Sequence, residues 1–225
     1  MGLPLYLAKT HREMLEAEGP LSAYMACHFS PYGDGLEVPE ALPECSMVIL
    51  NDRVPVGCHD REKVAGQLRE VMEKTGADCV LLDLQRPGFP HGLLKALTAL
   101  PYPMGVTEQY AALCDGAVFL EVPMHRPLSD ALELWKGRPL WLDVAGNTQR
   151  ITVTKEGSCF SSLPRQLPEG TVHRDEKLHC SYTLRVTEEC AEFTLFRTRE
   201  DAQALLQEAE QFGFAKAVGL YQELG

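Results

Sequence analysis

Apolar stretches along this chain repeatedly end in a residue that can do chemistry. His28, Asp52, Asp83 with Gln85 and Arg86, Glu108, Glu121, Asp143, and Gln222 with Glu223 each stand at the C-terminal side of such a stretch. So many carboxylates with few compensating bases suit two tasks: holding a hydroxyl-rich ligand or a metal, and moving protons as an acid and base pair. For binding, Asp83, Gln85 and Arg86 supply directional hydrogen bonds, and Tyr110, Trp141, Tyr182 or Tyr221 supplies a flat face for a pyranose ring. For catalysis, the pairs are Glu121 with Asp143, or Glu108 with Glu223. Plainer roles stand beside these. Arg86 can pair with Asp83 or Glu121, His28 can be a hydrogen-bonded structural histidine, and Trp135 and Trp141 fit a core. In Cys58-His59-Asp60, Asp60 is sufficiently explained as a helix cap. His179 and Tyr182 form a further candidate pair.

Residues so far apart in sequence meet only if the segments behind them converge. Apolar runs of strand length fall at 24–29, 47–50, 79–84, 104–106, 117–122, 140–144, 193–196 and 217–221. Most are continuous rather than alternating, as in a parallel sheet covered on both faces. Helical patterns lie between them. Over 60–74, Val64, Leu68, Val71 and Met72 share one face, with Asp60 as the cap and Gly76 as the stop. Over 199–212, Ala202, Leu205, Leu206 and Ala209 face inward, Thr198 and Asp201 make a capping box, and Gly213 ends the helix. This alternation predicts an α/β fold, and eight strands predict a small or degenerate (β/α)8 TIM-type barrel whose strand ends gather at one mouth. Its 225 residues fall short of the roughly 250 typical of such barrels, so several helices must be short or absent. Residues 108–114 leave room for barely two turns. From about 147 to 189 the pattern changes to alternating segments and Pro/Gly-rich turns, an antiparallel β insertion on a single domain covering 1–225.

Composition removes other classes. With 21 Lys and Arg against 32 Asp and Glu, a net charge of -11, the chain lacks the basic footprint of a nucleic-acid partner. A chain 45% hydrophobic and 24% charged is not a disordered one. No apolar run approaches the roughly 20 residues of a membrane span. The opening apolar run is short and charged residues follow at Lys9, His11, Arg12 and Glu13, so no secretory signal is read. Eight cysteines, several inside apolar runs and none in C-x-x-C, read as reduced thiols of a cytoplasmic protein. No paired His or Cys spacing suggests a metal, and no cofactor is expected.

The segment from Gly76 through Asp78, Asp83 and Gln85 carries more specific information. It resembles the fourth-strand signature of glycoside hydrolase family 18, the chitinase-like barrels, where Gly-x-Asp-Gly leads into Asp-x-Asp-x-Glu. On this match Asp83 takes the last Asp, and Gln85 stands where that family has its catalytic Glu. Residues 46–52 and the helix containing Arg61 resemble the family's preceding strand and helix. The stretch from Glu192 to Asp201, the helix after it, and the closing Tyr221-Gln222-Glu223-Leu224-Gly225 resemble the end of its spore-type members. The likeness covers 46–87 and 179–225 in order, and the middle loosely.

What the resemblance implies about activity is qualified by two departures. In that family the Glu protonates the glycosidic oxygen while the substrate's own acetamido group attacks, an exception to the two-carboxylate scheme. An amide at 85 has no proton to release. General acids contribute roughly 10²–10⁴ in rate, so the exchange alone removes on the order of 3–5 kcal/mol. Leu81 in place of the middle Asp removes another carboxylate. Three readings follow: a catalytically silent barrel binding a saccharide or other polar ligand through Asp83, Gln85, Arg86, Tyr182 and Glu223; a hydrolase with relocated carboxylates such as Glu121 and Asp143; or a scaffold without a small-molecule ligand.

Overall fold

The protein is described by a computed structural model over residues 2–16, 21–57, 59–144, 146–165 and 168–224. Its elements run β1 (Leu5–Lys9), α1 (His11–Glu16), β2 (Ser22–Phe29), β3 (Leu36–Glu37), β4 (Met47–Asn51), α2 (Arg61–Thr75), β5 (Cys79–Asp83), α3 (His91–Thr98), β6 (Met104–Thr107), α4 (Glu108–Ala111), β7 (Ala117–Glu121), α5 (Leu128–Leu134) and β8 (Leu140–Asp143). Then come β9 (Thr148–Thr154), β10 (Gly157–Leu163), β11 (Val172–Asp175), β12 (Cys180–Val186), β13 (Cys190–Phe196), α6 (Arg199–Gln211), β14 (Lys216–Leu220) and α7 (Tyr221–Leu224).

Eight parallel strands close a barrel in the order β1, β2, β4, β5, β6, β7, β8, β14, with β1 paired to both β2 and β14. Alternate residues divide two cores. Inside, Tyr6, Ala8, Met47, Ile49, Cys79, Leu81, Phe119, Trp141 and Val218 fill the cylinder. Outside, Val48, Leu50, Val80 and Leu82 meet Val64, Leu68 and Met72 of α2 and Leu93, Leu94 and Leu97 of α3, while Val118, Leu120 and Leu142 meet Ala202, Leu205 and Ala209 of α6. Continuous apolar strands are the direct result, since both faces are buried. The helix layer is reduced: α4 has 4 residues, α1 has 6 and α5 has 7, and β2 leads to β4 through the short antiparallel β3.

Both capped helices form as their sequences predict. The Asp60 carboxylate accepts from the amides of Glu62 and Lys63, and α2 ends at Gly76 with φ 69°, a left-handed geometry that only glycine adopts without a Cβ penalty. At α6, both halves of the Thr198 and Asp201 capping box are made.

Two strands differ from the sequence reading. Residues 193–196 belong to β13, inside the insertion, which extends from β9 to β13 as an antiparallel sheet ordered β10-β9-β13-β12-β11. The eighth barrel stave is instead β1. Phe193 and Leu195 look like barrel residues because their face of the small sheet packs on Met124 and Leu178. The seven described cysteines are free thiols; Cys58 lies outside the described residues, so its part in the Cys58-His59-Asp60 cluster is not placed. Among the described residues no helix is long and apolar enough to cross a membrane.

Candidate functional site

The last inward position of each strand sits at the barrel's mouth, and polar residues gather there. Asn51 of β4 is in register with Asp83 of β5, and Glu121 of β7 with Asp143 of β8. These residues, Gln85, Asn147 and Glu223 line one cleft of about 340 Å³ floored by Ile49, Leu81, Phe119 and Val218. That volume is at the lower end of the roughly 300–1,000 Å³ of small-molecule sites, enough for a ligand of about one sugar ring.

Gln85 is placed by its neighbours. The buried Asp52 carboxylate accepts from the Gln85 amide at 2.8 Å and the Arg86 amide at 2.9 Å, which fixes the turn leaving β5. From there the Gln85 side chain donates through Nε2 to Asp83 Oδ1 at 2.6 Å. On the opposite side, Glu223 Oε2 accepts from the Gly146 amide at 2.8 Å. A Cβ at 146 would run into that carboxylate, so a larger residue there would displace the Glu223 side chain from the Gly146 amide.

The carboxylates differ electrostatically. Burial raises the Asp83 pKa, the Gln85 hydrogen bond opposes that rise, and the charge of Asp52 adds to it. Burial, reinforced by Glu121 and by the charges of Asp83 and Glu223, pushes Asp143 up to about 8, against the opposing pull of Arg197. Adjacent strands lie about 4.8 Å apart, so the register pair Glu121 and Asp143 meets as like charges, and one proton is retained. Asp143 is the group that keeps its proton, and Glu121 beside it is exposed. Among the described residues no group of three or more His, Cys, Asp or Glu is arranged to hold a metal ion.

Five of the seven sequence-derived site residues, Asp83, Gln85, Glu121, Asp143 and Glu223, therefore line one cleft. The other two do not. Arg86 turns away because its guanidinium donates to the carbonyls of Asp52 and Arg53. Tyr182 lies on β12, stacked on His173 and tilted against Phe193. The remaining aromatics are likewise occupied: the Tyr110 hydroxyl bonds the Arg86 carbonyl, Tyr221 lies under the Lys9 ammonium, and Trp141 lies under Lys216. Phe119 is the aromatic that reaches the cleft. His28 pairs with Asn51, His179 with Glu208, and Glu108, which accepts from Trp135 Nε1, does not line the cleft with Glu223. Asn51, Asn147 and Gly146 also line the cleft and were missed: Asn51 directly precedes Asp52, whose carboxylate is the more conspicuous strand-end signal, and Gly146 and Asn147 lie in the loop after β8 rather than at a strand end.

No family model and no curated protein matches the sequence. Solved structures do match in fold. A class V chitinase from Nicotiana tobaccum superposes with a TM-score of 0.62 at 7% identity, over 100% of this chain and 95% of that one. A glycoside hydrolase family 18 N-acetylglucosaminidase from Paenibacillus barengoltzii gives 0.61 at 11% identity, over 99% and 97%. A doubly substituted family 18 chitinase from Cycas revoluta, one exchange being Glu to Gln, was solved in complex with (GlcNAc)4; it gives 0.57 at 11% identity, over 96% and 94%. The chain thus has the barrel fold of family 18 glycosidases, in line with the resemblance read from 76–85.

Proposed function

We propose that this protein is a catalytically silent glycosidase-like barrel that binds a saccharide, or a polar ligand of that size, in its mouth. The observation that carries the reading is the Gln85 amide, hydrogen-bonded to Asp83 at the cleft where the resemblance places a catalytic acid. It keeps the donors and acceptors that hold a sugar and removes the proton that would cleave it. The Cycas barrel solved with (GlcNAc)4 carries a Glu to Gln exchange of its own, which is compatible with binding by such a fold. Asp83, Gln85, Glu121, Asp143 and Glu223 are the ligand contacts on this reading. Reduced thiols and an acidic surface fit a cytoplasmic protein without a nucleic-acid partner.

The test is a thermal-shift and calorimetric screen of the protein against a saccharide library that includes chito-oligosaccharides. A ligand bound only by the folded state raises the melting temperature, and Gln85→Ala with Asp83→Ala should abolish the rise. If no saccharide binds, the mouth is a scaffold feature and the reading fails.

A second reading has one observation in its favour. Asp143, its pKa raised to about 8, stands in register with Glu121 on the neighbouring strand, so two carboxyl groups are paired as a relocated glycosidase would need. Turnover of chromogenic glycosides, abolished by Asp143→Asn and Glu121→Gln, would establish hydrolysis in place of silent binding.

A further inference from the structure

Beside the acidic mouth is a smaller cleft of opposite character, of about 220 Å³. Arg165, Arg197 and Arg199 line it, three guanidinium groups among nine lining residues, in a chain whose net charge is -11. It shares Val144, Gly146 and Glu223 with the mouth, so the two clefts are contiguous. Its walls come from the exit of β8, from the start of α6 and from α7 after β14. These are the loops after the seventh and eighth barrel strands together with a helix N-terminus, the place where TIM barrels commonly hold phosphate.

Of the carboxylates near this cleft, Asp143 and Glu121 act on Arg197 from the mouth, while Glu223 and Asp201 are held within the fold. Glu223 Oε2 is held by the Gly146 amide. The Asp201 carboxylate accepts from the Ser181 hydroxyl at 2.8 Å and from the Thr198 amide, and its other oxygen is ion-paired with Arg174 Nε at 3.0 Å. Arg197 is buried, with one NH2 donating to the Val122 carbonyl at 3.1 Å, which fixes its guanidinium; Arg165 and Arg199 are exposed and form the rim. Guanidinium groups bind carboxylate and phosphate with paired hydrogen bonds, and the first amides of the 13-residue α6 add a favourable partial charge.

We infer that this arginine cleft is an oxyanion subsite, taking the phosphate or carboxylate of a sugar whose ring lies in the adjacent mouth. The inference rests on the saccharide reading for the ring and on the arginines for the anion. The ligand class is then an acidic sugar rather than a neutral one.

The test compares N-acetylglucosamine, N-acetylglucosamine 6-phosphate, glucuronic acid and inorganic phosphate by calorimetry at constant ionic strength. It uses the wild type, Arg199→Gln, and the double variant Arg165→Gln/Arg199→Gln. Both residues are exposed, and circular dichroism confirms folding; Arg199→Gln alone serves as the second variant because Arg165 also bonds the Glu223 carbonyl. The expected result is that at least one acidic sugar binds about tenfold tighter than the neutral sugar, with the advantage lost in both variants. The phosphate and carboxylate arms identify the anion. Equal affinity of neutral and acidic sugars overturns the inference and leaves the saccharide reading intact. Arginine-dependent binding of inorganic phosphate without binding of any sugar overturns the saccharide reading and keeps the anion site. No binding of any probe overturns both.

Discussion

The amide at 85 and the carboxyl at 143 are the two residues on which the chemistry turns. Gln85→Glu would place a carboxyl at the position whose amide now lies 2.6 Å from Asp83, and two carboxylates that close retain a shared proton. Such a proton is what a general acid needs. The variant should therefore hydrolyse a chromogenic chito-oligosaccharide about 10²-fold above the wild-type background, the lower end of a general acid's contribution because Leu81 still replaces a carboxylate; initial rates at pH 5 to 7 measure it. Asp143 yields a stability prediction. Its folded pKa of about 8 lies above the ordinary 3.8, so the folded state keeps a proton that the unfolded chain gives up. The stabilisation it contributes is complete below pH 4 and is lost as pH rises toward 8, at up to about 1.4 kcal/mol per pH unit. Asp143→Asn cannot ionise. Its stability relative to wild type, from urea unfolding at pH 5 and pH 8, should increase between the two. Both residues were legible in the sequence because each is a polar end to an apolar run. Tyr182 and Arg86 were misplaced for a physical reason: sequence position gives the end of a strand but not which carbonyls a guanidinium will find, nor which face of an inserted sheet a ring will take.

At the level of elements, α2 and α6 were readable from their caps, and the insertion from its change of period. The boundary between insertion and barrel was not readable, because β13 buries Phe193 and Leu195 on one face and so presents the same apolar run as a barrel strand. What joins the two parts is Asp201. It is fully buried, closes the α6 capping box with Thr198, and receives Ser181 from β12 and Arg174 from β11. One carboxylate thus starts a barrel helix and anchors the inserted sheet. Asp201→Ala removes the N3 half of the capping box, worth about 1 kcal/mol, and the Ser181 hydrogen bond to a buried charge together with the Arg174 ion pair, worth about 1.5–3 kcal/mol. A total loss of about 3 kcal/mol is expected from denaturant unfolding. Native-state hydrogen exchange should show the amides of β11 and β12 opening before those of the barrel strands. Loss confined to α6, with the insertion's protection unchanged, would separate the two roles.

The whole molecule is closed by its least conspicuous strand. β1 has five residues and ends in a lysine, and it carries few sequence signals of a stave; yet it pairs with β14 on one side and β2 on the other. Closure removes the open edges that an eight-stranded sheet would otherwise present, and it also sets the first strand of the barrel beside the last. Tyr6 of β1 accepts a 2.7 Å hydrogen bond from Lys216 Nζ of β14, and the same ammonium lies 4.7 Å above the Tyr6 ring and 5.6 Å above Trp141. The Lys216 pKa is raised despite opposition from burial, the hydroxyl of Tyr6 being the largest favourable contribution. Tyr6→Phe keeps the ring and the cation–π contact while deleting the oxygen, so it isolates the hydrogen bond that fastens the first strand to the last. A cost of about 1.5–3 kcal/mol follows for a partly buried charge losing its acceptor, read from urea midpoints. Deleting residues 1–10 removes the stave altogether and leaves Lys216 without that acceptor between two open edges, so cooperative unfolding should vanish from near-ultraviolet circular dichroism. A truncated chain that still melted cooperatively would mean that seven strands suffice, and that the mouth owes its ring of carboxylates to the helices around it rather than to closure.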